Sequence, residues 1–377
     1  MPASHERALK ALLRRGRLRE LESAAGADFT SNDYLGLAKS AELQRAVMAA
    51  LARGVPIGAG GSRLLRGNHP EHEALEAEAA RFFNAESALF FGGGFVANTA
   101  IFATLPARGD LIVYDELVHA SAHEGMWLSK AETVSARHND ATAFDEAIKT
   151  WRASGGTGQV WIAVESLYSM DGDRAPLKYL AEITARNGAV LVIDEAHATG
   201  VFGTNGRGLG AELEGQPNII SLHTCGKALG VMGALVTCPS VIRDFLVNRA
   251  RSFIYATAPS PLMAAAVRAA LEISARQSER RETLHKRVAL AGELLHEKLG
   301  IVASGSQIQP VIVGSDARAV AFANAMRARG FDVRAIRPPT VPEGTARLRI
   351  TLTLNTDDAT VAALIDALAE EQSRLAA

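Results

Sequence analysis

The chain has little of what marks the specialised protein classes. Its 377 residues include only two cysteines, Cys225 and Cys238. No disulfide framework is implied, and a reducing compartment is the simpler setting. The net charge is −1 with no long basic run, which argues against non-specific nucleic-acid binding, since that needs many phosphate-neutralising cations. No apolar stretch reaches the ~20 residues that span a bilayer. The opening Met1-Pro2-Ala3-Ser4-His5-Glu6-Arg7 is polar and lacks the apolar core of a secretory signal. These absences together lead us to expect a cytoplasmic protein that engages neither membrane nor nucleic acid. Positive charge gathers locally in Arg14-Arg15-Gly16-Arg17-Leu18-Arg19, which is either a solvated helix face or a site for an anionic ligand.

What is present is an ordinary globular balance, 48% hydrophobic and 21% charged. The length exceeds one simple core, and three parts are expected: an N-terminal segment 1–53, a large domain 54–285 and a small α+β domain 286–377. Short apolar runs alternate with amphipathic stretches in the large part. The expected strands there are Ala88–Phe91, Leu111–Tyr114, Val160–Val164, Ala189–Ile193, Ile219–Leu222 and Ala234–Val236. Such alternation predicts an α/β fold with a mainly parallel central sheet. Continuous runs such as Val190-Leu191-Val192-Ile193 fit strands covered by helices on both faces. Near the C-terminus, strands are expected around Gln309–Val313, Asp332–Ile336 and Ala346–Leu352, with helices over Asp316–Arg329 and Asp357–Arg374. The turn-rich Ser31-Asn32-Asp33-Tyr34-Leu35-Gly36 is expected at the surface or at a site.

Polar residues collect where strands end, which is where open α/β sheets bind ligands. Lys227 stands among small residues in Thr224-Cys225-Gly226-Lys227-Ala228-Leu229-Gly230, just after an apolar run. It is either an ordinary surface lysine or an amine for a bulky aldehyde. Asp194, in Asp194-Glu195-Ala196-His197, is either a turn cap or the acid that pairs with a pyridine nitrogen. An amine and an acid so placed are what a pyridoxal-phosphate enzyme requires. His197 would then reach the ring's phenolic oxygen. The run Gly92-Gly93-Gly94-Phe95-Val96-Ala97-Asn98 leads from a strand into a helix, so its backbone amides suit a phosphate. His119 is either a satisfied structural histidine or a partner for the ring. Arg337, in Arg337-Pro338-Pro339-Thr340, is held in a stiff loop that suits a carboxylate, or is engaged in a structural ion pair. Rival readings lack parts. A helicase built on Asp-Glu-Ala-His needs a phosphate loop with Ser or Thr after the lysine, and Ala228 stands there. No dinucleotide Gly-x-Gly-x-x-Gly follows a strand, and His69 and His72 have no further ligands at zinc spacing, so no metal is expected.

These motifs resemble the α-oxoamine synthases, a family of fold-type I pyridoxal-phosphate enzymes, over residues from about Asp28 to Leu368. The family pattern is carried by Ser31-Asn32-Asp33-Tyr34-Leu35-Gly36-Leu37, Ser169-Met170-Asp171-Gly172-Asp173, Asp194–His197 and Thr224–Lys227. Gly92-Gly93 stands where the family more often has Ser-Gly. The loop Arg337–Pro342 with Gly344-Thr345-Ala346-Arg347-Leu348-Arg349 is similar to the member that serves biotin synthesis. That member condenses L-alanine with a pimeloyl thioester of coenzyme A or acyl carrier protein. A sister that joins glycine to an acetyl or succinyl thioester is the alternative. The resemblance implies a role for each matching position. Lys227, Asp194 and His119 would be catalytic. Gly94, Phe95, His119, Ser169, Asp194, His197, Thr224, Lys227 and Thr257 would bind pyridoxal 5'-phosphate. Arg19, Asn32, His119, Arg337 and Thr340 would face substrate. It also implies a homodimer, with the segment Ile254-Tyr255-Ala256-Thr257 reaching across.

Overall fold

The computed structural model describes residues 3–376; Met1, Pro2 and Ala377, which the readings above include, lie outside the described residues. The chain divides into two compact units. One comprises the residues to Tyr34, Ser169–Asp173 and those from Glu282 onward; the other comprises Leu35–Tyr168 and Arg174–Arg281. The expected segment 1–53 is thereby split after Tyr34, and backbone pairing explains the split. Strand β1 (Ala27–Asp28) lies parallel to β10 (Phe331–Asp332). Helix Ala41–Ala52 instead buries Ala50 in a cluster with Val55, Leu262 and Ala265.

The larger unit holds a seven-stranded sheet of β2 (Ser87–Phe91), β3 (Leu111–Asp115), β4 (Glu132–Ala136), β5 (Val160–Glu165), β6 (Val190–Asp194), β7 (Ile219–Thr224) and β8 (Ala234–Cys238). Their spatial order is β2-β8-β7-β6-β5-β3-β4, and only β8 runs against its neighbours. Alternate residues of each central strand enter two different cores. Ile112, Ala163 and Val192 pack with Ala97, Ile101, Ala122 and Met126 of helices Gly94–Thr104 and Ala120–Leu128. Leu111, Val113, Ile162, Leu191 and Ile193 pack with Phe144, Ile148, Leu180 and Ile183 on the opposite side. Burial on both faces is why these strands are continuous apolar runs. The six expected strands are all present, each longer by one or two residues at an end, except that Ala189 precedes β6. Sequence periodicity missed β4, whose Glu132, Thr133 and Ser135 are exposed at the sheet edge.

The smaller unit carries an antiparallel sheet in the order β11-β12-β9, from β9 (Ile308–Gly314), β11 (Arg334–Ile336) and β12 (Ala346–Thr351). The single strand expected at Asp332–Ile336 is two pieces, β10 and β11, that pair with different partners. Helices Asp316–Ala328 and Asp358–Ala376 match expectation closely. In the Ser31–Gly36 turn, expected at the surface or at a site, Tyr34 and Leu35 are fully buried. Among the described residues no helix is long and apolar enough to cross a membrane.

Asp115 locks the carboxyl end of β3. Its Oδ1 accepts from His138 Nδ1 at 2.8 Å and from Leu117 N at 2.9 Å, and its Oδ2 accepts from Asn139 N at 2.8 Å. Burial pushes this carboxyl up, but these donors outweigh it and hold it below its ordinary range. A depressed carboxylate contributes stability that is complete above its unfolded value of about 3.9 and is lost as pH falls through the folded value. Asp115→Asn is therefore expected to destabilise the protein most above pH ~4, with the gap to wild type closing in more acidic buffer. Urea unfolding across a pH series measures this, and a gap that widened on acidification would contradict it.

Candidate active site

Strands β3, β5, β6 and β7 point their carboxyl ends to one edge, where Asp115, Glu165, Asp194 and Thr224 stand. Asp194 is half-buried and lies opposite Glu165 in the β5–β6 register. Its Oδ1 accepts from Ala196 N at 2.9 Å, and its Oδ2 accepts from Asn98 Nδ2 at 2.7 Å. The turn-cap reading and the functional reading therefore coexist, because one oxygen caps and the other receives a side chain from helix Gly94–Thr104. A small cavity beside it is lined by Asn98, His119, Ala122, Glu165 and Asp194.

His119 caps helix Ala120–Leu128, with Nδ1 accepting from Ser121 N at 3.2 Å and meeting Ser121 Oγ at 2.8 Å. With Nδ1 as acceptor, the hydrogen of the neutral ring sits on Nε2. Burial lowers the pKa of His119; Asp194 opposes this, and Lys227 and His123 reinforce it. His119 thus lies within electrostatic reach of both the acid and the amine. Phe95, half-exposed, presents its ring edge-on to His119 at 6.5 Å.

Lys227 follows β7 in a closed loop. Cys225 N donates to Gly233 O at 2.9 Å, Val231 N to Cys225 O at 2.8 Å, and Gly230 N to Lys227 O at 2.9 Å. Gly230 has φ +67°, and a Cβ there would come within 2.4 Å of Ala38 N. Thr224 Oγ1 lies 3.5 Å from where a Cβ on Gly94 would stand. The start of helix Gly94–Thr104, which carries no side chain at position 94, thus lies next to a hydroxyl, and its N-terminal amides and dipole suit an anion. His197 is buried in the turn after Asp194. Glu195, although part of the same motif, is fully buried away from this work. It accepts from Ser166 Oγ at 2.7 Å, Leu209 N at 3.0 Å and Gly210 N at 2.5 Å, and burial raises its pKa. Thr257 is exposed in the segment Tyr255–Thr257, and Ala258 N donates to Gly61 O at 2.9 Å.

The other expected residues belong to the smaller unit. Asn32 Oδ1 accepts from Tyr34 Oη at 3.0 Å and from Arg349 Nη2 at 3.1 Å, while Arg349 Nε donates to Ser169 O at 2.6 Å. Arg19 Nη2 reaches Thr340 Oγ1 at 3.3 Å, and Arg337 donates to Gly16 O. Arg15, Arg17, Arg19, Pro338, Pro339 and Val341 line one cavity, in which Arg17 is committed to Asp316 and Glu343. The residues that sequence reasoning passed over are Asn98 and Ser121. The available signal was Asn98 itself, a carboxamide in the mostly apolar helix run Gly94-Phe95-Val96-Ala97-Asn98-Thr99-Ala100-Ile101.

A helix start suited to an anion, an acid at the end of β6 and an amine on the loop after β7 are the features that a pyridoxal-phosphate enzyme requires. The family model for aminotransferase class I and II matches residues 26–368. An 8-amino-7-oxononanoate synthase of Chromobacterium violaceum is 42% identical over 340 residues, covering 90% of this chain and 87% of that protein. The 8-amino-7-oxononanoate synthase structure from Francisella tularensis has a TM-score of 0.79 at 28% identity, covering 93% of this chain and 99% of that one. A Sphingomonas wittichii serine palmitoyltransferase structure has a TM-score of 0.88 at 26% identity, covering 99% and 97%. The chain belongs to the aminotransferase class I and II family and, within it, to the family of the 8-amino-7-oxononanoate synthases.

The Lys227 loop leaves no space for a side chain at position 230. Gly230→Ala is expected to cost at least ~2 kcal/mol, from left-handed backbone strain plus contact with the Ala38 backbone. Thermal unfolding followed by circular dichroism measures the cost. A melting temperature equal to wild type would show that this loop is not held as described.

Proposed function

We propose that this chain catalyses the decarboxylative condensation of L-alanine with a pimeloyl thioester, giving 8-amino-7-oxononanoate, carbon dioxide and free thiol. One observation carries the reading: relatives of that name align over nine-tenths of the chain. The donor set fits pyridoxal 5'-phosphate. Thr224 and the backbone amides from Gly94 and Phe95 would hold the phosphate. Asp194 would accept from the pyridine N–H, His119 would pack against the ring, and Ser169 and His197 would serve its phenolic oxygen. Bound there, the cofactor supplies an electron-withdrawing ring that acidifies the Cα–H of an amino acid and accommodates the electron pair left when a carboxylate departs.

The chain's own groups account for the remaining work. Nζ of Lys227 would hold the cofactor's aldehyde and would serve as the base that takes the Cα proton of alanine. A C–C bond then forms between alanine Cα and the thioester carbonyl carbon, and the C–S bond breaks. Loss of carbon dioxide and return of a proton to Cα complete the balance. Arg337 would hold the alanine carboxylate, and Asn32, Thr340 and Arg19 would face substrate. Two copies associate, with Thr257 of each serving the other's phosphate. Both cysteines are free and buried, which agrees with work in a reducing cytoplasm.

Mass analysis of the product from L-alanine and pimeloyl thioester tests the reaction. Eight-amino-7-oxononanoate is expected, and glycine should be turned over poorly; preference for glycine with an acetyl thioester would assign the chain to the sister activity instead. Lys227→Ala should lose the visible absorbance of the holoenzyme and at least ~10³-fold in rate. Near-normal turnover by that variant would remove the lysine from its role.

A further inference from the structure

Helices Gly94–Thr104 and Ala120–Leu128 pack side by side, and a polar connection crosses between them in otherwise apolar surroundings. Asn98, 2% exposed, uses both amide hydrogens: one goes to Asp194 Oδ2 at 2.7 Å and the other to Ser121 Oγ at 3.0 Å. The Ser121 hydroxyl lies 2.8 Å from Nδ1 of His119 and is itself 1% exposed. The carboxamide has one workable orientation. Turned over, its oxygen would face a carboxylate oxygen and its amino group would lose two acceptors. Its Oδ1 has no hydrogen-bond partner among the described residues, an open cost in a buried setting. The burial of this side chain is thus explained by its two donations alone.

We propose that Asn98 and Ser121 are positioning residues that couple the ring-nitrogen acid to the ring-facing histidine. Asn98 fixes the Oδ2 side of Asp194 as Ala196 N fixes the Oδ1 side, so the carboxylate cannot rotate and presents one set of lone pairs to the cavity. Ser121 receives the second amide hydrogen and passes its own to His119 Nδ1, which keeps the His119 hydrogen on Nε2. The acid and the histidine are therefore set by one chain of hydrogen bonds rather than separately. Nearby charged and titratable groups are Glu165 across the β5–β6 pair, His123 on the histidine's own helix and Lys227.

This inference rests on the reading that pyridoxal phosphate binds beside Asp194 and His119, and the test separates the two. The readout is the acid–base transition of the holoenzyme's visible absorption, followed by pH titration in wild type, Asn98→Ala, Asn98→Asp and Ser121→Ala. With one donor fewer, Asp194 draws the ring N–H proton closer, the ring carries less positive charge, and the nitrogen contributed by Lys227 keeps its proton to higher pH. Asn98→Ala should move the transition up by about one unit, as befits loss of a hydrogen bond to a charged group. Asn98→Asp, equal in size but unable to donate when ionised, should move it further. Ser121→Ala should move it the same way by less, and it supplies the measurement if Asn98→Asp does not fold. A wild-type protein that binds no pyridoxal phosphate would sink the site reading itself. A wild-type band with unshifted Asn98→Ala and Ser121→Ala variants would overturn the coupling. A smaller shift for Asp than for Ala would reduce Asn98 to a packing role.

Discussion

The carboxylate of Asp194 sits where the sheet ends and must find donors without taking them from the strand ladder. A carboxylate removed from water is costly unless hydrogen bonds replace the lost hydration. Here the replacement comes from two directions, the backbone N–H of Ala196 in the following turn and the carboxamide of Asn98 on the neighbouring helix. The adjacent residue, Glu195, faces the same demand and solves it on the opposite side. Its donors are Ser166 and the amides of Leu209 and Gly210. Two successive acids at one strand end are thus divided by the alternation of side chains along a strand. One is left half-exposed toward a cavity and the other is consumed in holding the 203–210 loop. The motif Asp-Glu-Ala-His holds one acid beside a cavity and one bound into the scaffold, and only their surroundings distinguish them.

Much of this architecture is legible in the sequence because the strands of the larger unit are buried on both faces. Val190-Leu191-Val192-Ile193 cannot be mistaken for a half-exposed strand, and the polar residues that end such runs mark the ligand edge. Legibility failed where burial is incomplete. β4 is a polar edge strand with only Ala136 buried. The break between β10 and β11 depends on partners far along the chain, since β10 pairs with Ala27–Asp28 and β11 with β12. No local pattern records such pairing.

The site was legible to a different degree. Asp194 and Thr224 end strands and Lys227 lies on the loop just after one, so local order predicts their edge. His119 and Gly94 begin helices after strands, which is again a local signal. Asn98 and Ser121 were not legible because their significance is a relation between two helices. Within its own sequence Asn98 is one polar residue in a helix, a type usually explained by a solvated face. Only its burial, with a carboxylate on one side and a hydroxyl on the other, shows that the helix was built around it.

The smaller unit poses the matching question of what holds Ser169-Met170-Asp171-Gly172-Asp173 in place. The explanation lies in β12, where Arg347 and Arg349 are two residues apart and therefore share a face. Both are nearly fully buried, an arrangement that demands partners. Arg347 pairs with Asp171, and Arg349 donates to Ser169 O, Thr351 Oγ1 and Asn32 Oδ1. Between them, Gly172 adopts φ +71° with its α-carbon so close to Ile308 O that a Cβ would stand 2.3 Å away. Asp171 is required as a counter-charge and Gly172 as the residue without a side chain. The placement of Ser169 follows, since the backbone on either side is held by arginine and glycine. The two motifs of this unit, the Asn32 turn and the Ser169 segment, are thus joined through a single guanidinium. Replacing Arg349 by lysine would keep the charge and lose that bridge, because an ammonium cannot span a carbonyl, a hydroxyl and a carboxamide in one plane.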